Sequence, residues 1–187
     1  MVNRRASILL FYETTRVPRR MRPILFFGSD SFSIPCFQAF RRGLIKGDYG
    51  VDVVAVRGSD FASSCEMLNI ENVYQVSGFK GFTLPKQYSF GVVASFGHFI
   101  PPRLISCFEH CLNVHPSLLP QYRGPSPIQT AIREKESLSG VSIIDVHPTV
   151  MDGGDIYCQE QVEIGPDEGY GGVCERMAEI GGRLLAD

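Results

Sequence analysis

Short apolar runs alternate with longer amphipathic stretches along most of the chain. Apolar runs of roughly four to eight residues that end at Gly or polar residues are typical of buried strands. Amphipathic stretches, several of which open with Pro, are typical of helices. The pattern predicts strands, with their exit turns, at 24–30, 51–56, 72–76, 90–96, 111–115, 140–150 and 155–164. It predicts helices at 33–45, 101–108, 127–135 and 169–185.

The alternation of strands with helices predicts an α/β fold with a doubly wound, mainly parallel sheet. The last two strands have no helix between them and are expected to pair like a hairpin. In such a sheet, ligands bind outside the carboxyl ends of the strands. The candidate site residues are therefore the polar groups at those ends, 28–30, 96–98 and 113–115.

Asn113 and His115 close the strand at 111–115. Residues two apart in a strand point to the same side of the sheet, so the amide and the imidazole share one cleft. An imidazole exchanges protons near neutral pH, and an amide N–H can stabilise an oxyanion. The pair suits acyl transfer, although a single His can also be a hydrogen-bonded residue of the core.

The loop that follows this strand is unusually stiff. Proline fixes the backbone angle φ and removes a donor, and Arg123 with Gly124 adds a charge and a flexible backbone point. Loops at this edge of a sheet commonly carry function. The loop is therefore expected to contribute to the site. Its prolines are Pro116, Pro120, Pro125 and Pro127.

A carboxylate is expected to complete the site from the segment "VMDGGDI". Asp152 and Asp155 flank two glycines there, which allow a sharp turn or a close approach to a ligand. A carboxylate beside His115 would orient the imidazole ring. Spacing does not choose between Asp152 and Asp155, and an Asp-Gly pair is also common in plain turns.

Two other kinds of site are disfavoured. The turn after the first strand, "GSDSFS", matches neither the dinucleotide fingerprint nor the P-loop pattern. Cys107, Cys111 and His115 are four residues apart, but a four-residue step in a strand spans about 13 Å, which is too far for two ligands of one ion. No metal is therefore predicted.

Charge is distributed unevenly along the 187 residues. The net charge is −2, but residues 1–22 hold six Arg and one acid, which leaves 12 basic and 19 acidic residues in the rest of the chain. An Arg-rich, acid-poor start predicts a mitochondrial transit peptide at 1–21 and a location in the matrix. A disordered leader, or a true start at Met21, would give the same pattern. No stretch approaches the roughly 18 apolar residues of a membrane span.

Two long motifs resemble a known family. They are "NVHPSLLPQYRGPSPIQTAI" and "GVSIIDVHPTVMDGGDI", and "ILFFGSDSFS" and "GVVASFGHFIP" add to the likeness. From Arg22 to the C-terminus the chain resembles the folate-dependent formyltransferases. It is most similar to the members that act on methionyl-tRNA, especially those of animal mitochondria.

The resemblance implies that a formyl group moves from 10-formyltetrahydrofolate to the amino group of methionyl-tRNA. It implies that Asn113, His115 and Asp152 are catalytic, because Asp152 matches the first acid of the family pattern. Arg123 is expected either to place an anionic substrate group or to pin the loop. The family's folate-binding loop matches Ser117, Leu118, Leu119 and Pro120, and residues 91–101 are expected to wall the pterin pocket.

The resemblance also sets expectations about domains and alternatives. Family members carry a second, C-terminal domain that grips tRNA, and the sequence ends where it would begin. The expected organisation is a leader at 1–21 and a catalytic domain at 22–187, without a C-terminal tRNA-binding domain and as a monomer. The acidic body weakens the case for tRNA binding. The alternatives are a folate-dependent formyl enzyme acting on a small amine or water, and a non-catalytic folate-binding protein.

Overall fold

A seven-stranded sheet organises the computed structural model, which describes residues 23–44 and 49–187. The strand order is β3-β2-β1-β4-β5-β6-β7. The first five strands are parallel, β6 runs antiparallel to β5, and β7 runs antiparallel to β6. The strands are β1 (Ile24–Gly28), β2 (Val51–Val56), β3 (Val73–Val76), β4 (Phe90–Ala94), β5 (His110–His115), β6 (Leu138–Asp145) and β7 (Ile156–Glu163).

Helices cover both faces of the sheet, as a doubly wound fold requires. On one face α5 packs along α1, and α2 and α4 join them over a single apolar core. On the other face α3 and the segment 79–88 cover a smaller core. The helices of the described residues are α1 (Ser33–Leu44), α2 (Asp60–Met67), α3 (Pro102–Ile105), α4 (Pro127–Arg133) and α5 (Tyr170–Ala186).

Strand β1 shows why these central strands are continuous apolar runs. Ile24 and Phe26 contribute to the larger core, whereas Leu25 and Phe27 contribute to the smaller one. All five residues of β1 are buried. A parallel strand covered on both sides has no solvent face, so its sequence shows no alternation of apolar with polar residues. The predicted fold class is confirmed.

The structure differs from the predicted elements at α2 and at the end of β6. Helix α2 was not predicted, although Ser59 caps it by accepting a hydrogen bond from the Ala62 N–H at 3.2 Å. The strand predicted at 140–150 is wrong beyond Asp145, where β6 ends. The Asp145 N–H donates to the Asp155 carbonyl at 2.9 Å, and this hydrogen bond closes the base of the loop between β6 and β7.

The predicted transit peptide at 1–21 lies outside the described residues. Within 23–44 and 49–187, no helix is long and apolar enough to cross a bilayer. The same residues contain no group of His, Cys, Asp and Glu side chains placed to hold a metal ion.

Candidate active site

A cavity of about 530 Å³ opens at the carboxyl ends of β1, β4 and β5. Ligand pockets in proteins commonly enclose roughly 300–1,000 Å³, so the cavity can hold a substrate of moderate size. Ser29 and Asp30 follow β1 in its wall, residues 95–100 follow β4, and residues 113–116 end β5. All three groups of polar residues predicted from the strand ends therefore meet at this cavity.

Strand β5 positions the amide and the imidazole. Asn113 lies between Val93 of β4 and Ile144 of β6, and His115 is two residues further along. Their side chains lie on the same side of the sheet, as the spacing predicts. Asn113 is partly exposed, whereas His115 is buried at 4% exposure. The imidazole is thus held by the protein, and the amide is open to the cavity.

Asp152 completes the group. Its Oδ1 lies 3.5 Å from His115 Nδ1 and accepts a hydrogen bond from Asn113 Nδ2 at 3.4 Å. Asp155 is exposed and does not line the cavity; only its carbonyl has a structural role, as the acceptor for Asp145. The structure thus brings Asp152 to His115 and Asn113, a choice that spacing left open.

The contacts of His115 hold its ring from both nitrogens. Its Nε2 lies 2.9 Å from the Tyr122 carbonyl oxygen, and its Nδ1 faces the Asp152 carboxylate. Both ring nitrogens therefore face oxygen acceptors. An imidazolium, with a proton on each nitrogen, donates to both at once.

The segment 122–124 contacts both members of the His–Asp pair. The sequence predicted a contribution from this loop through Arg123 and Gly124, but it did not identify Tyr122. The Tyr122 carbonyl lies against His115 Nε2, and the Gly124 N–H donates to Asp152 Oδ2 at 2.8 Å. Tyr122 and Asp152 have positive φ angles of 54° and 49°. Non-glycine residues in this region are uncommon and cluster at functional sites. The Arg123-Gly124 pair was the only sequence signal for this segment.

The loop between β6 and β7 carries Asp152 and depends on its two glycines. A Cβ on Gly154 would lie 1.8 Å from the Asp145 carbonyl oxygen, so only glycine lets the loop lie this close to β6. A Cβ on Gly153 would lie 2.4 Å from Val150 Cγ1. Val150 therefore fills the space that a larger residue at 153 would need.

A second polar network, also absent from the sequence reasoning, joins the loops after β1 and β4. Asp30 Oδ1 accepts the Phe32 N–H at 3.0 Å and the Ser33 N–H at 3.4 Å, and its Oδ2 accepts the Ser95 hydroxyl. Ser33 donates to the Ala94 carbonyl at 2.6 Å. Asp30 thus occupies the amino-terminal end of α1, at the cavity wall.

The predicted folate-binding loop, residues 117–120, does not line the cavity. Ser117 and Leu119 are buried at 0% and 5% exposure. Ser142 donates to the Ser117 carbonyl at 2.6 Å and accepts the Leu119 N–H at 3.1 Å. The loop is therefore tied to β6 behind the site, and folate contact by Ser117, Leu118, Leu119 and Pro120 remains a prediction.

The mouth of the cavity is apolar. Phe99, Val150, Met151 and Tyr170 line it with exposures of 68%, 48%, 67% and 40%. Large apolar side chains exposed together in this way mark binding surfaces. The residues predicted to wall the pterin pocket, 91–101, include Phe99 and six other residues that line the cavity.

An α/β domain whose Asn, His and Asp side chains meet over a strand-end cavity has the parts of an acyl-transfer enzyme. The formyl transferase family model matches residues 84–187, which is more than half of the chain. The chain therefore belongs to the formyl transferase family. The recognition of this family from the sequence is confirmed.

Two curated relatives share one name. The methionyl-tRNA formyltransferase of Anaplasma phagocytophilum is 32% identical over 180 residues, covering 87% of this chain and 58% of that protein. The methionyl-tRNA formyltransferase of Heliobacterium modesticaldum is 41% identical over 98 residues, covering 52% of this chain and 31% of that protein. The chain thus spans less than two thirds of the length of these relatives.

Solved structures share the fold. A phosphoribosylglycinamide formyltransferase from Bacillus halodurans superposes with a TM-score of 0.69 at 22% identity, over 88% of this chain and 93% of that one. A 4-N formyltransferase from Francisella tularensis gives 0.72 at 25% identity, over 89% and 67%. The family fold therefore serves acceptors of different chemistry.

Proposed function

We propose that the chain transfers a formyl group from 10-formyltetrahydrofolate to the amino group of methionyl-tRNA. The convergence of Asn113, His115 and Asp152 on one cavity carries this proposal. The shared name of the curated relatives supports the acceptor. Here 10-formyltetrahydrofolate is a substrate, the formyl donor, and no metal takes part in the proposed reaction.

In the proposed reaction, three side chains share the work. The acceptor amine attacks the formyl carbon, and the carbonyl oxygen becomes an oxyanion that the Asn113 amide and the His115 imidazolium stabilise as donors. The C–N10 bond of the donor then breaks. The amine loses one proton, and N10 of the leaving folate gains one. To stabilise the oxyanion or to carry this proton, His115 exchanges its Nε2 contact with the Tyr122 carbonyl for one with the reacting groups, while Asp152 holds the ring in position.

The cavity fits the proposed donor. Its apolar mouth, with Phe99 and Met151 exposed, offers a surface for a flat aromatic ring system such as a pterin. The polar end, at Asn113 and His115, lies deeper in the same cavity. A donor bound with its rings at the mouth would present its formyl group to the catalytic side chains.

The position of Asp30 favours an acceptor substrate that brings no phosphate group to the start of helix α1. Helix amino termini after the first strand are the usual phosphate sites of doubly wound folds. Here the Asp30 carboxylate takes the N–H groups of Phe32 and Ser33 at the start of α1. It leaves those donors unavailable and repels an anion. This favours methionyl-tRNA over the phosphoribosyl acceptor named for the Bacillus halodurans structure.

A small-amine or water acceptor is the second candidate. Residues 23–187 hold 12 basic and 19 acidic side chains, whereas binding to the phosphates of tRNA relies on Lys and Arg. This charge favours a folate-dependent enzyme with a small acceptor. The measured acceptor specificity decides between the two candidates.

We also propose that the protein works in the mitochondrial matrix as a monomer, with residues 1–21 as its transit peptide. The six Arg and one acid of residues 1–22 support the targeting. A fluorescent fusion of the full chain should enter mitochondria, and the same fusion without residues 1–21 should stay outside. Equal distribution of the two fusions would contradict the targeting.

The decisive experiment is formyl transfer from 10-formyltetrahydrofolate to charged methionyl-tRNA by the full chain. His115→Ala should reduce the rate by about 100-fold or more, as expected when a positioned proton-transfer group is lost. His110→Ala is the matched control, because His110 begins the same strand and does not line the cavity. Its rate should stay within about threefold of the parent.

Two other outcomes of this assay would support different functions. Release of tetrahydrofolate that depends on His115, with water or a small amine but not with methionyl-tRNA, supports the second candidate. Folate binding with no turnover on any acceptor contradicts both candidates and supports a binding protein.

A further inference from the structure

The segment 122–124 is the common support of the catalytic pair. The Tyr122 carbonyl accepts from His115 Nε2 at 2.9 Å, and the Gly124 N–H donates to Asp152 Oδ2 at 2.8 Å. A shift of this segment therefore moves both partners of the 3.5 Å contact between His115 Nδ1 and Asp152 Oδ1. What holds the segment determines the geometry of the site.

The Tyr122 hydroxyl ties this segment to the end of helix α4. It lies 2.7 Å from Glu136 Oε1 and 2.9 Å from Glu134 Oε2, and it donates its single proton to one carboxylate at a time. The hydrogen bonds that the hydroxyl donates to the two carboxylates, above all to Glu136, raise the pKa of the Tyr122 phenol above its ordinary value. The hydroxyl therefore keeps its proton, and with it the role of donor, at neutral pH.

Both carboxylates belong to residues at the carboxyl end of helix α4. Glu134 caps the carboxyl end of α4, and the Glu136 N–H donates to the Ala131 carbonyl at 3.0 Å. Ile128 and Ala131 anchor the same helix in the larger core. The Tyr122 ring packs against that core as well, and its hydroxyl hydrogen-bonds to the exposed carboxylates at the end of α4.

We propose that the Tyr122 hydroxyl, through Glu134 and Glu136, positions His115 and Asp152 for catalysis. The inference rests on the proposed function for its kinetic part only. Tyr122 has a φ of 54°, a backbone state that most side chains disfavour, so it persists only while neighbouring contacts hold it. The hydroxyl supplies such a contact at the opposite end of the residue from the carbonyl that binds His115.

The first test is Tyr122→Phe, which keeps the ring and removes the hydroxyl. We expect kcat to fall about three- to tenfold, the effect of one lost hydrogen bond, with KM for the formyl donor and the melting temperature unchanged. Combining Glu134→Ala with Glu136→Ala should reproduce that loss. Adding Tyr122→Phe to the pair should reduce kcat no further, because all three changes break the same link.

Two controls separate this link from general effects. Replacing both carboxylates by Gln keeps oxygen acceptors for the hydroxyl and should restore most of the parent kcat. Glu175→Ala removes an exposed carboxylate on α5 and should leave kcat within about twofold of the parent. Additive losses in the triple variant, or no rescue by Gln, would overturn the proposal.

The second test does not depend on turnover. In the protein without substrate, the ring resonances of His115 should move in Tyr122→Phe, while those of His98 and His147 should stay in place. Unmoved His115 resonances would overturn the positioning role, whatever the activity. If instead the parent lacks activity toward every acceptor while the resonances of His115 move, the proposed function fails and the positioning role stands.

Discussion

The aromatic cluster around Phe26 and the polar cluster around His115 lie on opposite faces of one sheet and are built differently. Phe26 is fully buried, with ring centroids 4.9 Å from Phe37, 5.7 Å from Phe61 and 6.2 Å from Phe40. His115 is nearly as buried, but its partners are a carbonyl and a carboxylate. The Phe26 cluster is stabilised by buried apolar contact area, whereas the His115 cluster is stabilised by a few directional polar contacts.

The difference implies that stability and catalysis are separable in this molecule. Apolar packing is nearly non-directional and scales with buried area, so its loss lowers the free energy of unfolding. Hydrogen bonds depend on distance and angle, and each adds little net stability. Their loss should change the reacting geometry much more than the fold.

The largest effect on folding should come from Phe26→Ala. Truncating a fully buried Phe removes apolar contact and leaves a cavity, which costs about 3–5 kcal/mol of unfolding free energy. The kcat of the molecules that remain folded should stay near the parent value. Urea unfolding with a parallel rate assay tests both statements. A large fall in kcat per folded molecule would show that the two clusters are not separable.

For Asp152→Asn we expect a large loss of kcat with little change in the free energy of unfolding. The variant keeps the shape of the side chain, and Asn tolerates a positive φ, so stability should change by about 1 kcal/mol or less. The loss of charge beside His115 should lower kcat about 100-fold or more. Asp155→Asn, at an exposed position outside the cavity, is the matched control. Equal losses in the two variants would contradict the assignment.

A smaller effect should follow from crowding the loop that carries Asp152. Gly153→Ala places a Cβ 2.4 Å from Val150 Cγ1, so the loop must move, and activity should fall about tenfold. Val150→Gly clears that space, and the double variant should recover most of the activity. The coupling in this cycle should be on the order of 1–2 kcal/mol. Independent effects would show that the two residues do not compete for space.

The smallest effect concerns Asp52, away from both clusters. Burial raises the pKa of Asp52, but hydrogen bonds from Lys86, Tyr88 and Asn72 outweigh it and leave the pKa below its ordinary value. The resulting stability is present above pH of about 4 and is lost as the pH falls towards the lowered pKa. Lys86→Met should flatten this dependence in urea unfolding below pH of about 4, without changing kcat at neutral pH. An unchanged slope would contradict this account.

Local patterns predicted much of the fold because they depend on near neighbours. The apolar runs located all seven strands of the described residues, and the two-residue period placed Asn113 and His115 on one side. Helix α2 was missed because Ser59, its cap, precedes a stretch with weak periodicity. The end of β6 was misplaced because Val146 and Val150 add apolar positions beyond Asp145, where the strand ends.

The sequence by itself determined the sheet, the edge that holds the site, and the Asn–His pair, since each follows from spacing within one element. The tertiary structure alone brought Asp152 to His115 and joined both to the segment 122–124. These contacts cross 37 and 28 residues of chain, and they depend on a loop whose path is set by the close approach of Gly154 to Asp145. Periodicity describes residues within an element, whereas loop paths follow from packing among elements that are distant in sequence.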